Sequence, residues 1–182
     1  MLLRLRLHRS AHRPLLRSLS TYVQWDNNVA HSLIDPDIPT APYPQRFTEL
    51  TMTNFDKYGD KLAIVDGITD ETRTFTDLSN DVEAVARSLR SMGIQPGDVV
   101  GLYTPNHVDF FAAFHGACKV GACVTLLNPL YTKYEIATQL GGSKAKALIA
   151  HPSCFEAASA AMQELPLLSH LIQLGDTAPA GK

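Results

Sequence analysis

The stretch GLYTPNHVDFFAAFHGACKVGACVTLLNPLYT, residues 101 to 132, decides the fold, because strand, helix, strand and helix start follow one another there without slack. Val99 to Tyr103 is a continuous apolar run of the kind buried on both faces of a sheet. Pro105 and Asn106 open a helix from about His107 to Val120, apolar nearly all round through Phe110, Phe111, Ala113, Phe114, Ala117 and Cys118. Gly121 closes it, and Ala122 to Leu127 is the next buried strand, ended by Asn128-Pro129.

Working outward, the pattern repeats on both sides. Toward the C-terminus, Thr132 and Glu135 make a capping box for a helix that Gly141 and Gly142 stop, and Ala145 to Ala150 reads as a strand. Ser153 and Glu156 make a second capping box after Pro152, with Ala157, Ala158, Ala161, Met162 and Leu165 as the apolar side of the helix. Pro166 breaks that helix before a short strand near His170 to Leu174. Toward the N-terminus, the turn Gln95-Pro96-Gly97-Asp98 follows a helix capped by Thr76 and ended by Gly93. Its stripe is Leu78, Val82, Val85, Ala86, Leu89 and Met92. Before it, Leu62 to Val65 and Arg73 to Phe75 form a hairpin around Gly67 to Glu71, and Phe47 to Tyr58 forms one helix stopped by Gly59. From Thr76 onward helices and strands alternate, so the fold class is α/β: a partial doubly wound, mostly parallel sheet preceded by a short hairpin.

A chain of 182 residues with 45% hydrophobic content holds one ordinary domain with a real core. Residues 1 to 25 carry Arg4, Arg6, Arg9, Arg13 and Arg17, with Ser10, Ser18 and Ser20, and no acidic residue. Arg9, Arg13 and Arg17 recur every four residues on one helical face, and arginines interrupt every apolar run that a secretory signal would need. This segment reads as a mitochondrial targeting sequence removed near Arg17 to Thr21; a cytoplasmic protein with a basic tail and a plastid address are the alternatives. Without those five charges, the net −2 becomes −7 for the remainder, and an acidic body argues against nucleic acid as a partner. From residue 26 to 46, WDNNVAHSLIDPDIPTAPY and its surroundings carry Pro36, Pro39 and Pro42 without periodicity and read as an extended linker. Cys118, Cys123 and Cys154 match no zinc spacing and read as free intracellular thiols. The most apolar window, Phe110 to Leu127, contains His115 and Lys119 and falls short of a transmembrane segment, so the protein is expected to be soluble.

The chemistry-bearing patterns are weak. Gly116 to Gly121 has P-loop glycine spacing, but Ala122 and Cys123 stand where Lys and Ser/Thr are required, and it leads from helix to strand instead of strand to helix. Packing is the reading adopted there. Ser143 and Lys146 match S-x-x-K without its partner motifs and read as a helix-to-strand turn. His115 and Cys118 have ligand spacing but no second pair, and read as core with no metal. His107 and Asp109 stand at a helix start after a strand, facing either a ligand crevice or a solvent-exposed cap, the cap being favoured. No G-x-G-x-x-G or G-x-S-x-G occurs, so the residues by themselves assign no catalytic group and leave cofactor-binding residues unknown.

Three segments together carry a resemblance: DKLAIVDGITDETRTFTDL, LRSMGIQPGDVVGLYTPNHVDFFAAFHGACKVGACVTLLNPLYTKYEI and KAKALIAHPSCFEAA. In their order and spacing the chain resembles the start of an adenylate-forming acyl-CoA synthetase of the 4-coumarate:CoA ligase and fatty acyl-CoA synthetase branch, from about Phe47 to Leu174. The resemblance implies that residues 47 to 182 are the N-terminal part of an AMP-binding domain, incomplete here. It implies a two-step ligase using ATP, Mg²⁺ and CoA, in which a fatty or aromatic carboxylic acid forms an acyl-adenylate and then a thioester. In such enzymes the phosphates sit in a Ser/Thr/Gly-rich loop ending in Pro-Lys-Gly, and a catalytic lysine lies on a C-terminal domain. Neither is found in these 182 residues, so no family site residue transfers to this chain. The expectation is a fragment of a longer ligase, inactive alone and binding none of those cofactors well. A truncated, non-catalytic binding or interaction module is the alternative, with self-association through an exposed sheet edge. A flavodoxin-like or receiver domain is disfavoured, since Thr104-Pro105-Asn106-His107 lacks glycines and an acidic cluster.

Overall fold

The computed structural model describes residues 47–175 in full and, ahead of them, the backbone of two short strands. The chain divides into two compact units, residues 1–43 and 44–182. In the first, β1 (Val23–Asp26) pairs antiparallel with β2 (Val29–Ser32), Val23 opposite Ser32 and Asp26 opposite Val29. The expected linker from 26 to 46 therefore carries a strand near its start. Each strand is only four residues long, too short for its alternation to stand out against the prolines that follow. The remainder of that linker and most of residues 1 to 25, expected to be a targeting segment, lie outside the described residues.

The second unit contains α1 (Phe47–Met52), α2 (Phe55–Tyr58), β3 (Leu62–Val65), β4 (Thr72–Thr74), α3 (Phe75–Ser91), β5 (Val99–Tyr103), α4 (Phe110–Lys119), β6 (Cys123–Leu127), α5 (Lys133–Ser143), β7 (Ala147–Ala150), α6 (Phe155–Met162) and β8 (His170–Gln173). Strands β3 and β4 form an antiparallel pair, and the other four form a parallel sheet in the order β6-β5-β7-β8. One face packs on α3 and α4 through Ala86, Leu89, Val100, Leu102, Ala113, Ala117 and Ile149. The other packs on α5 and α6 through Tyr103, Leu127, Ile136, Leu140, Leu148, Ala158 and Ala161. The α/β class and the preceding hairpin are as expected from the alternation.

Two glycines set the layer spacing. A Cβ on Gly101 would stand 2.8 Å from side-chain carbons of Leu140 and Leu148, so the missing side chain lets α5 settle on the sheet. At Gly116 a Cβ would stand 2.5 Å from Val85 Cγ1 and 3.2 Å from the Val82 carbonyl, which lets α3 and α4 cross closely.

Several boundaries differ from expectation, each for a local reason. The single helix from Phe47 to Tyr58 is two, because Thr51 and Thr53 donate their hydroxyls back to the Phe47 and Glu49 carbonyls at 2.9 Å and divert the backbone ladder. Thr74, not Thr76, caps α3, forming a reciprocal box with Asp77. Thr76 instead donates to Asp60 at 3.1 Å. Met92, assigned to the α3 stripe, is 37% exposed beyond the last turn. Helix α4 begins at Phe110, because Pro105 to Asp109 form a turn closed by the Phe110 N–H on the His107 carbonyl. Helix α5 runs through Gly141 and Gly142 and ends at Lys144 in the left-handed region, φ 56°. Gly141 admits Leu165, 3.3 Å from the Cβ it lacks, so it is a packing glycine and not a stop. The Ser153–Glu156 box is absent: His151 caps a short 3₁₀ turn, Pro152–Cys154, and holds the Ser153 hydroxyl itself. Strand β6, expected to be buried, is an edge strand with Cys123 exposed and Leu126 half-exposed.

Candidate functional site

The connection from β5 runs through α4 to β6 on one side, and that from β7 runs through α6 to β8 on the other. Adjacent strands whose connections diverge leave a crevice at their carboxyl ends, the usual ligand position in open α/β sheets. Here the two ends carry Thr104 to Asp109 and His151 to Ser153.

Strand β5 sets the floor. Tyr103 is buried and donates its hydroxyl to the Tyr131 carbonyl at 2.8 Å, tying the loop after β6 to the strand end. Burial raises its pKa above the ordinary tyrosine value. The His151 N–H bonds the Tyr103 carbonyl at 3.0 Å, which places the β7 loop beside the β5 loop. The rings of His107 and His151 then meet with centroids 5.0 Å apart and planes inclined by 59°.

Each ring is held at Nδ1. In His107 it accepts the Asp109 N–H at 3.2 Å and lies 3.6 Å from Asp109 Oδ2. In His151 it meets the Ser153 hydroxyl at 2.7 Å and accepts the Ser153 N–H at 3.2 Å. Burial lowers the His151 pKa, the His107 charge adding to this and Asp109 opposing it. Asp109 bonds Arg73 at 2.8 Å, and Arg73 also pairs with Glu71 at 2.8 Å and Asp81 at 3.6 Å. Burial works to lower the Arg73 pKa, but its bonds to Glu71 and Asp109 outweigh this and hold it above the ordinary value. Asp66, in the β3–β4 turn, accepts the Ile68 and Thr69 N–H groups, which hold its carboxyl below the usual range, with a smaller contribution from His107. The cluster is therefore acidic around one arginine and two imidazoles.

The crevice and cap alternatives for His107 and Asp109 separate here. The Asp109 side chain makes no cap bond and is taken by Arg73; the His107 ring, not a carboxylate, bonds the helix-start N–H. No sequence motif singles out His151, and the signal available is its place after an apolar strand and before Pro152. The other patterns scatter. Ser143 donates to the Leu140 carbonyl at 3.2 Å while Lys146 pairs with Asp98 at 2.6 Å, a helix-to-strand turn. His115 is buried against Thr48, 3.1 Å from its hydroxyl, and Cys118 is half-buried on the same helix. Among the described residues, no group of three His, Cys, Asp or Glu side chains is placed to hold a metal ion. No described helix is long and apolar enough to cross a membrane.

The same architecture occurs in known ligases. The 4-coumarate–CoA ligase 1 of Petroselinum crispum is 41% identical over 96 residues, 53% of this chain and 18% of that protein. The 4-coumarate-CoA ligase 1 of Narcissus pseudonarcissus is 31% identical over 123 residues, 68% of this chain and 22% of that protein. The anthranilate CoA ligase AuaEII, solved in complex with anthranoyl-AMP, superposes with a TM-score of 0.69 at 26% identity, over 74% of this chain and 26% of that one. The N-terminal domain of FACL13 from Mycobacterium tuberculosis shares the fold, with a TM-score of 0.65 at 23% identity over 71% of this chain and 34% of that one. The chain spans about a fifth of the length of these curated relatives. The family model described as AMP-binding enzyme matches residues 52–180, well over half of the chain, and on that match the chain belongs to the AMP-binding enzyme family.

Proposed function

We propose that this chain is the N-terminal part of an ATP-dependent carboxylic acid:CoA ligase, contributing the first α/β layer of its nucleotide-binding domain. The observation that carries this reading is the family match over residues 52–180, together with 4-coumarate–CoA ligase relatives at up to 41% identity over about half of the chain. The whole ligase would use ATP, Mg²⁺ and CoA to turn a fatty or aromatic carboxylic acid into an acyl-adenylate and then a thioester. The described residues do not fit a nucleotide triphosphate by themselves. The carboxyl ends of β5 and β7 present Asp109 with Arg73 already paired to Asp109 and Glu71, so no free cation is offered to phosphates by that arginine, and no glycine-rich loop follows either strand. What this chain supplies is position: Tyr103, Gly101 and the α5 capping box of Thr132 and Glu135 fix the strand ends and the loop after β6.

The test is a chimera in which residues 47–175 replace the matching segment of the Petroselinum crispum enzyme. ATP-dependent thioester formation by the chimera is expected, and AMP release by the 182-residue chain alone is not. A well-folded chimera without any acyl-adenylate formation would sink the reading. The basic segment at 1 to 25 further supports a mitochondrial address, checked by N-terminal sequencing of the cellular protein; an intact Met1 would count against it. Self-association is proposed at β8, whose outer side takes no strand among the described residues.

A further inference from the structure

We infer that the Gln139 side chain, reaching from α5 over the outer side of β6, is a guard that keeps a strand of a second copy of this chain from adding to that edge. Strand β6 is one end of the parallel sheet. Its residues, Cys123-Val124-Thr125-Leu126-Leu127, carry no charge and no proline, and its register with β5 runs from Val99–Cys123 to Tyr103–Leu127 without a bulge. Edge strands commonly exclude a further strand by a lysine, a proline or a bulge, and β6 has none of these. Short uncharged segments of high β propensity are the ones that pair with copies of themselves. Apolar surface adds to the attraction, since Leu126 is 51% exposed and Cys123 is exposed beside it.

The main chain of β6 shows where a strand would bond. The Cys123 N–H bonds the Asp98 carbonyl at 2.8 Å, so Cys123 turns its main-chain groups toward β5. These groups alternate in direction along a strand, and Val124 and Leu126 therefore turn theirs outward. If two copies of β6 paired antiparallel about Thr125, Leu126 of each would exchange both main-chain bonds with Val124 of the other. That exchange needs the Leu126 carbonyl.

Gln139 occupies it. Its side-chain amide donates one proton to the Leu126 carbonyl at 2.9 Å and the other to the Thr125 hydroxyl at 2.8 Å. The first bond takes an outward acceptor, and the second fixes the amide over the edge. Both amide protons are used, so the guard rests in place with its donors satisfied. The self-association proposed at β8 concerns the opposite edge and is left open by this arrangement.

The experiment uses the full chain, with sedimentation velocity over a concentration series and amide hydrogen exchange read at Val124 and Leu126. Gln139→Ala removes both donors and suits a helix. It should tighten self-association about tenfold or more, and exchange at Val124 and Leu126 should slow as concentration rises. Association of the unaltered chain through β8 should leave those two amides exchanging at one rate at every concentration, which tells the edges apart. Adding Leu126→Lys to Gln139→Ala should return association to that of the unaltered chain, because a charge on the edge replaces the guard. Thr138→Ala, one position away on α5 with its hydroxyl on the Tyr134 carbonyl, should move neither reading. Association of Gln139→Ala equal to that of the unaltered chain, tighter association without slowing at Val124 and Leu126, or an equal gain in Thr138→Ala would overturn the inference. Should Gln139→Ala fail to fold, Gln139→Met, of similar length and without a donor, decides by the same readings.

Discussion

The two ends of the parallel strands are built from similar polar residues and used differently. At the amino end, Asp98 bonds Lys146 at 2.6 Å and the Gln95 N–H at 2.9 Å, and its own carbonyl receives the Cys123 N–H at 2.8 Å. The Lys146 N–H in turn bonds the Val99 carbonyl, and the Gly97 N–H bonds the Gly121 carbonyl, each at 2.9 Å. Every one of these groups satisfies another, so this end is closed scaffold. At the carboxyl end the His107 and His151 rings are held by one nitrogen each, and the other has no protein partner among the described residues. The difference teaches where chemistry can be added without loss of the fold: polar residues that saturate one another serve stability, and those left half-bonded are available to a ligand.

That contrast is broken most severely by Gly121→Ala. Gly121 has φ +84°, and a Cβ there would meet Pro96 Cβ at 2.9 Å and Pro96 Cα at 3.2 Å. Left-handed strain together with overlap against a proline should cost about 2–4 kcal/mol, read from urea unfolding. An unchanged midpoint would show that the amino end is not the rigid part. Asp98→Ala should lower the midpoint by less, since it removes the Lys146 and Gln95 bonds but creates no overlap.

Acid separates the molecule further. Burial lowers the His115 pKa from 6.5, and the same cause acts on His151. The unfolded chain therefore takes up protons at these sites before the folded one does, so stability is full above pH 6.5 and declines as pH falls below it toward the lowered folded values. Hydrogen bonds lower the Asp66, Asp77, Asp98 and Glu135 carboxyls, with the Lys146 bond leading at Asp98. Their contribution is full above the ordinary values of 3.8 and 4.5 and is lost below them. Urea midpoints measured from about pH 8 to about pH 3 should fall in two stages. His115→Gln should remove most of the upper stage, and a single stage in the unaltered chain would contradict this.

The fold was legible because it rests on patterns of apolar residues. Val99 to Tyr103 and Ala147 to Ala150 are short apolar runs bounded by turn residues, and the sheet buries both nearly completely. Helix edges were harder to read where side chains compete for backbone groups: Thr51 and Thr53 split one helix, and Ser153 is claimed by His151 before Glu156 can use it. The edge position of β6 was invisible, since strand order is a long-range property that the local run Ala122 to Leu127 does not encode. The carboxyl-end cluster was half legible. His107 and Asp109 stand out by their place after a strand, but His151 is 44 positions away from His107 and joins the pair only because β7 lies beside β5.

The smallest expected effect is the sharpest test of the comparison. His107→Asn and His151→Asn each keep an amide near the position of Nδ1, so the Asp109 N–H and the Ser153 N–H retain an acceptor. Both substitutions remove the second ring nitrogen, which has no partner among the described residues. Neither empties the core, because both rings lie at strand ends and the His107 side chain is 22% exposed. Each should therefore change unfolding stability by no more than about 0.5 kcal/mol. A loss comparable to that of Gly121→Ala would mean that the rings pack the crevice shut, making the carboxyl end scaffold like the amino end. Unchanged stability would instead leave the second ring nitrogens outside the scaffold that holds the strand ends.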